Sequence, residues 1–151
     1  MATALGDFAS GQILAAADLN AIGAWNTWTP TWSNFTVGNA NTTYRYTQIG
    51  STVFYSVIVV LGSTSSMGTE PEFTLPVTAS AYRTAQGGEA SLETGAQSWV
   101  GTTYRKSATN VYLRSLAQTG GNVYVKQITS SSPAMWTTGD VIVVKGWYEA
   151  A

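Results

Sequence analysis

Residues 43–61 read Thr-Tyr-Arg-Tyr-Thr-Gln-Ile-Gly-Ser-Thr-Val-Phe-Tyr-Ser-Val-Ile-Val-Val-Leu. Two runs rich in β-branched and aromatic residues, Thr43–Gln48 and Thr52–Leu61, flank the turn Ile49-Gly50-Ser51. That is the composition of a pair of strands. The second run is apolar on both faces: Val53, Tyr55, Val57, Val59 and Leu61 on one, Phe54, Ile58 and Val60 on the other. A strand covered on one side only would alternate. Either the N-terminal segment or a long loop covers its outer face, or a neighbouring subunit does.

The same texture continues in both directions. Further strands are expected at Glu72–Leu75, Ala81–Thr84, Gly88–Thr94, Gln97–Thr103, Asn110–Leu116, Asn122–Gln127 and Val141–Tyr148. Turn residues separate them: Val37-Gly38-Asn39, Gly62–Gly68, Gly87-Gly88, Thr119-Gly120-Gly121-Asn122 and Thr138-Gly139-Asp140. Gly120-Gly121 gives the best hairpin signal. Many short strands without alternating helices predict a mainly β fold, an antiparallel jelly-roll-like β-sandwich over residues 28–151.

Residues 1–27 differ. They are Ala-rich, with Phe8, Ile13, Leu14, Leu19 and Ile22 as apolar anchors. The spacing predicts a short N-terminal α-helix from Leu14 to Ala24 with one narrow apolar stripe. A helix of about three turns is marginal alone and needs something to pack on.

Composition narrows the function. The 151 residues contain no His and no Cys, which excludes disulfides, thiolate nucleophiles, Ser-His-Asp triads and His/Cys zinc sites. Charged residues are only 10 % of the chain, against about 25 % in an average domain, so the surface is polar but nearly neutral. Seven basic and eight acidic residues give a net charge of −1. Arg83, Arg105, Lys106 and Arg114 form no run, so nucleic-acid binding is not expected. No stretch of 18 apolar residues predicts membrane insertion, and the opening Met1–Gly11 lacks the basic and apolar regions of a secretory signal.

The carboxylates offer little chemistry. Glu89 and Glu93 share a strand face about 13–14 Å apart, too far for a glycosidase pair at about 5–9.5 Å. Glu70 and Glu72 flank Pro71 and read as solvated loop residues, and Asp140 as a turn residue entering the last strand. No acidic cluster suits calcium. The sequons at Asn34 and Asn41 are frequent by chance in an Asn- and Thr-rich chain. No catalytic residue, metal or cofactor is expected.

Aromatics are the more promising residues. Trp25, Trp28 and Trp32 lie around Thr29-Pro30-Thr31 and read as a connector that plugs into the domain or into neighbouring chains, with a saccharide-stacking platform as the alternative. Downstream, Tyr82, Trp99, Tyr104, Tyr112, Tyr124 and Trp136 are scattered among short polar residues. Such mixtures suit neutral sugar or protein surfaces. Trp99, Tyr104, Tyr124 and Trp136 are the candidate glycan contacts.

The segment from Phe8 through Ser10-Gly11-Gln12-Ile13-Leu14 and Asp18-Leu19-Asn20 to Ile22 resembles the N-terminal motif of many phage tail and virion proteins. Ala15 stands where that motif often has Thr, which leaves the helix start less well capped. Trp28-Thr29-Pro30-Thr31-Trp32, Tyr46–Val53, Leu61–Ser66 and the ending Gly139–Ile142 with Gly146-Trp147-Tyr148-Glu149 continue the likeness. Together they resemble the small β-domains of tail fibres and minor tail proteins of tailed bacteriophages. The resemblance implies a non-enzymatic virion component, assembled in the bacterial host cytoplasm. Residues 1–27 would dock it to other virion proteins. The β domain, commonly in a homotrimer, would serve host attachment through a surface glycan. A head fibre or capsid decoration protein of the same fold is the alternative.

Overall fold

A computed structural model describes residue 13 and residues 21–81, 88–95 and 97–151. Among the described residues ten strands make one antiparallel sheet: β1 (Asn26–Thr27), β2 (Trp32–Thr36), β3 (Asn41–Ile49), β4 (Thr52–Val60), β5 (Ser66–Thr74), β6 (Gly88–Thr94), β7 (Gln97–Arg105), β8 (Asn110–Thr119), β9 (Asn122–Gln127) and β10 (Val141–Glu149). The order is β1-β3-β4-β10-β6-β7-β8-β5-β2, with β9 added to β8.

The sheet rolls over on itself. β4 stands third in the order and β5 eighth, yet the Tyr55 and Phe73 rings lie 6.0 Å apart. The Tyr55 hydroxyl is 3.2 Å from Thr103 Oγ1 on β7. Near the two ends of the order, Trp32 Nε1 on β2 donates to the Tyr44 hydroxyl on β3 at 3.2 Å. The roll encloses the core of Val53, Tyr55, Val57 and Val59 from β4, Ile142, Val144 and Tyr148 from β10, Leu92, Phe73, Val111 and Leu113. The layers expected of a two-sheet sandwich are therefore one continuous hydrogen-bonded sheet, because β10 bridges β4 to β6.

Several expected elements differ. The predicted helix is not supported: residues 14–20 lie outside the described residues, and of the remainder Ala21 alone is helical before the turn at Ile22-Gly23. Gly23 at φ +77° and the extended pairing of Asn26 with Tyr46 turn this stretch toward the sheet instead. Gly68, Glu70 and Pro71, read as breakers, lie inside β5. β2 and β5 absorb them with a register shift between Ser33 and Phe35, where Asn34 (φ +58°) meets Glu70 (φ +53°). Asn34 Nδ2 donates to the Glu70 carbonyl at 3.3 Å. Of the expected strand at Ala81–Thr84, Ala81 is a bend and the rest lies outside the described residues. The Gly120-Gly121 hairpin has Thr119 opposite Asn122, with both glycines at positive φ as a tight primed turn requires.

Candidate functional site: an aromatic groove on the outer sheet face

The alternation that buries Val53, Tyr55 and Val57 turns Phe54, Ser56 and Ile58 to the opposite face, where Phe54 is exposed, Ile58 half-buried and Ser56 buried beneath its neighbours. Register extends this outer face across five strands. Arg45 on β3 stands opposite Ser56, Ser56 opposite Lys145 on β10, Lys145 opposite Glu89 on β6, and Glu89 opposite Thr102 on β7. A second, parallel row runs Thr47, Phe54, Trp147. Together with Trp25, which precedes β1, these residues line an open groove of about 820 Å³. Gly88, Gly101 and Gly146 line it too, and bare backbone at these positions lets strands bend and approach closely.

Three large rings stand exposed around this groove: Trp25 at 51 %, Phe54 at 40 % and Trp147 at 60 %. The Arg45 guanidinium lies 5.6 Å from the Trp25 ring centre, a cation–π contact at a ring that stays half exposed. Among the described residues neither Arg45 nor Lys145 has a carboxylate within ion-pair distance, although Glu89 is the register neighbour of Lys145. Thr102 is buried and donates to the Gly88 carbonyl at 3.0 Å. Thr47 is buried, and its hydroxyl has no hydrogen-bond partner among the described residues. Chemically the groove offers ring faces, two cations, one carboxylate and hydroxyls. Among the described residues no cluster of three or more acidic side chains could hold a metal.

A smaller hollow of about 220 Å³ lies between Tyr104, Tyr112, Arg114 and Val125. The two tyrosine rings stack at 11° with centres 5.9 Å apart, and the Arg114 guanidinium sits 5.0 Å from the Tyr112 ring. Its charges are already matched. Arg114 pairs with Glu70, and Lys106 pairs with Glu72 at 2.7 Å. Glu72 holds the Lys106 ammonium pKa above its ordinary value through that hydrogen bond and charge. Glu70 and Glu72 are thus ion-paired strand residues rather than free loop carboxylates.

The residues singled out from sequence are dispersed. Trp99 is partly buried, donating to Thr94 Oγ1 at 3.2 Å, and Trp136 donates to the Thr129 carbonyl at 3.0 Å. Tyr104 lines the small hollow, and Tyr124 is exposed on β9. These four are not brought together. Trp28 packs on Tyr44 and Tyr46, and Trp32 on Phe35 and Phe73, so both face the core while Trp25 faces the groove. Of the expected docking residues, Ile13 is exposed and Ile22 half-buried; Phe8, Leu14 and Leu19 lie outside the described residues. Phe54, Trp147, Arg45, Lys145 and Glu89 were not among the sequence candidates. The signal for Phe54 was its place on the second apolar face of β4; Trp147 becomes visible only once it is registered opposite Phe54.

No family model matches this chain, and neither curated proteins nor solved structures give a match.

Proposed function

We propose that this chain is a non-catalytic structural protein of a tailed-bacteriophage virion, a tail-fibre or tail-tip adhesin. Residues 1–27 dock it to other virion proteins through the apolar anchors between Phe8 and Ile22, and its jelly-roll-like β domain, with Trp25 at the end of that segment, presents the groove to a glycan on the host surface. The motif spanning Phe8 to Ile22 supports the virion assignment through its resemblance to tail proteins. The observation that carries the attachment role is the exposure of Trp25, Phe54 and Trp147 around one groove with a row of polar side chains along it. Ring faces cover the apolar face of a sugar, while hydroxyl, carboxylate and cationic groups fix its orientation. Among the described residues Glu89 is the single carboxylate of the groove lining, which gives no acid/base pair for cleaving a glycosidic bond. Several copies in a homotrimer turn weak single-site binding into stable attachment.

The test is saturable binding of the labelled protein to a panel of candidate host cells and their isolated cell-wall glycans. Binding competed by one glycan and abolished by Trp147→Ala is expected. A folded protein that binds no host surface overturns the reading.

The alternative, a head fibre or capsid decoration protein, draws on a different observation. β9 is almost wholly exposed, with Val123 and Tyr124 open on a strand that, among the described residues, pairs only with β8. Such a strand suits contact with other copies or with a capsid. Stoichiometric capsid association without host-cell binding would favour it.

A further inference from the structure

Resting on the saccharide reading of the groove, we infer that its ligand is an anionic polysaccharide segment whose charged group, a carboxylate or a phosphodiester, is held by Arg45 and Lys145. Among the described residues Lys106 pairs with Glu72 and Arg114 with Glu70, while Arg45, Arg105, Lys126 and Lys145 have no ion pair. Of these four, Arg45 and Lys145 line the groove together. Arg45 and Lys145 share one cross-strand row, separated only by Ser56, and no carboxylate lies within ion-pair distance of either among the described residues. Two strand spacings put their Cα atoms about 10 Å apart, and the side chains are long enough to converge over Ser56.

The two cations have different tasks. The Arg45 guanidinium, lying over Trp25, has its approach fixed by the ring and keeps its edge for a bidentate anion contact. Lys145 supplies a mobile point charge from the other side. Phe54 and Trp147 in the adjoining row give the sugar rings their apolar surface. Glu89, beside Lys145, opposes the anion and accepts from ligand hydroxyls; it makes the groove selective for a saccharide that carries both.

The opposed signs of Arg45 and Glu89 make the test specific. Titration calorimetry of the full chain against an oligogalacturonate, a glycerol-phosphate oligomer and a neutral malto-oligosaccharide separates the cases. Binding to either anionic probe is expected. It should weaken as salt rises through about 0.1 M, where the Debye length is about 10 Å. Arg45→Gln should weaken it about tenfold or more, as expected on removing one charge-assisted hydrogen bond. Lys145→Gln should weaken it less, and Glu89→Gln should tighten it. All three side chains are exposed, so the variants are expected to keep the wild-type circular-dichroism spectrum. Which anionic probe binds identifies the charged group. Equal binding of the neutral oligosaccharide, indifferent to salt and to Arg45→Gln, overturns this inference and leaves the saccharide reading standing. Binding of none of the three by a protein that does bind host cells overturns the inference. Binding of neither the probes nor any host glycan overturns both.

Discussion

The Tyr148 hydroxyl donates to the Val77 carbonyl at 2.8 Å and accepts from the Val77 amide at 3.1 Å. One side chain on β10 thereby satisfies both backbone polar groups of a residue in the connection after β5. Tyr148→Phe leaves both without that partner while keeping the ring packed against Tyr55. A loss of about 1–3 kcal/mol is expected. Urea denaturation measures it; an unchanged midpoint would show that the pair contributes nothing.

Alkaline pH should reveal the buried tyrosines. Burial pushes the Tyr55 hydroxyl pKa from 10.0 up to about 12, opposed in part by its hydrogen bond with Thr103, and burial also raises that of Tyr148 well above the ordinary value. Below about pH 10 both folded and unfolded chains are protonated and stability is complete. Above it the unfolded chain ionises first, so stability falls as pH rises through the folded value, by up to about 1.4 kcal/mol per pH unit for each tyrosine. Urea midpoints should be level from about pH 7 to 9 and drop between about pH 10 and 12. Tyr148→Phe should make that drop shallower.

Asp140 is a buried carboxylate that ties two loops. Its Oδ1 accepts from the Gly95 amide at 3.2 Å and its Oδ2 from the Thr137 amide at 2.6 Å. Asp140→Ala removes both acceptors and should cost about 2–3 kcal/mol, as for hydrogen bonds to charged groups. Thermal unfolding checks this, and Asp140→Asn, which keeps one acceptor oxygen, should fall between.

Thr47 points the other way. Its buried hydroxyl lacks a partner among the described residues, so Thr47→Val removes a desolvated polar atom while keeping the shape. A gain of about 1 kcal/mol is expected. A destabilised variant would show that the hydroxyl is satisfied in solution.

Gly88 marks a close approach. A Cβ there would meet the Lys145 carbonyl oxygen and would lie 2.7 Å from the Gly146 Cα. Gly88→Ala must push β6 away from β10, at about 1–3 kcal/mol. Urea denaturation should show that loss, and under the proposed attachment role glycan binding should weaken with it, since the groove spans that junction.

The strands were legible where alternation and turn residues agreed. β6 and β9 have the expected bounds, and β4, with its turn at Gly50-Ser51, ends one residue short of the expected Leu61. β2 and the first half of β5 were hidden because Asn34, Gly68 and Glu70-Pro71 look like breakers; only their mutual pairing accommodates them. The roll of the sheet was illegible for a related reason: nothing local in Val141–Tyr148 says that it inserts between β4 and β6. The groove inherits that difficulty. Trp25, Arg45, Phe54, Glu89 and Trp147 are distant in sequence, and β10 is what makes them neighbours.

The central position of β10 also sets the order in which the molecule can be made. Strands β1 to β9 leave the ribosome before the one that joins β3-β4 to β6-β7-β8. Until Val141–Glu149 emerges, the edges of β4 and β6 that it pairs have no partner, and the nascent chain carries two unfinished half-sheets. Long-range pairing of this kind is slow and exposes apolar surface while it waits. Closure of the described sheet is therefore expected to wait for β10, because among the described strands β10 alone joins β4 to β6 and brings Lys145 and Trp147 to the groove.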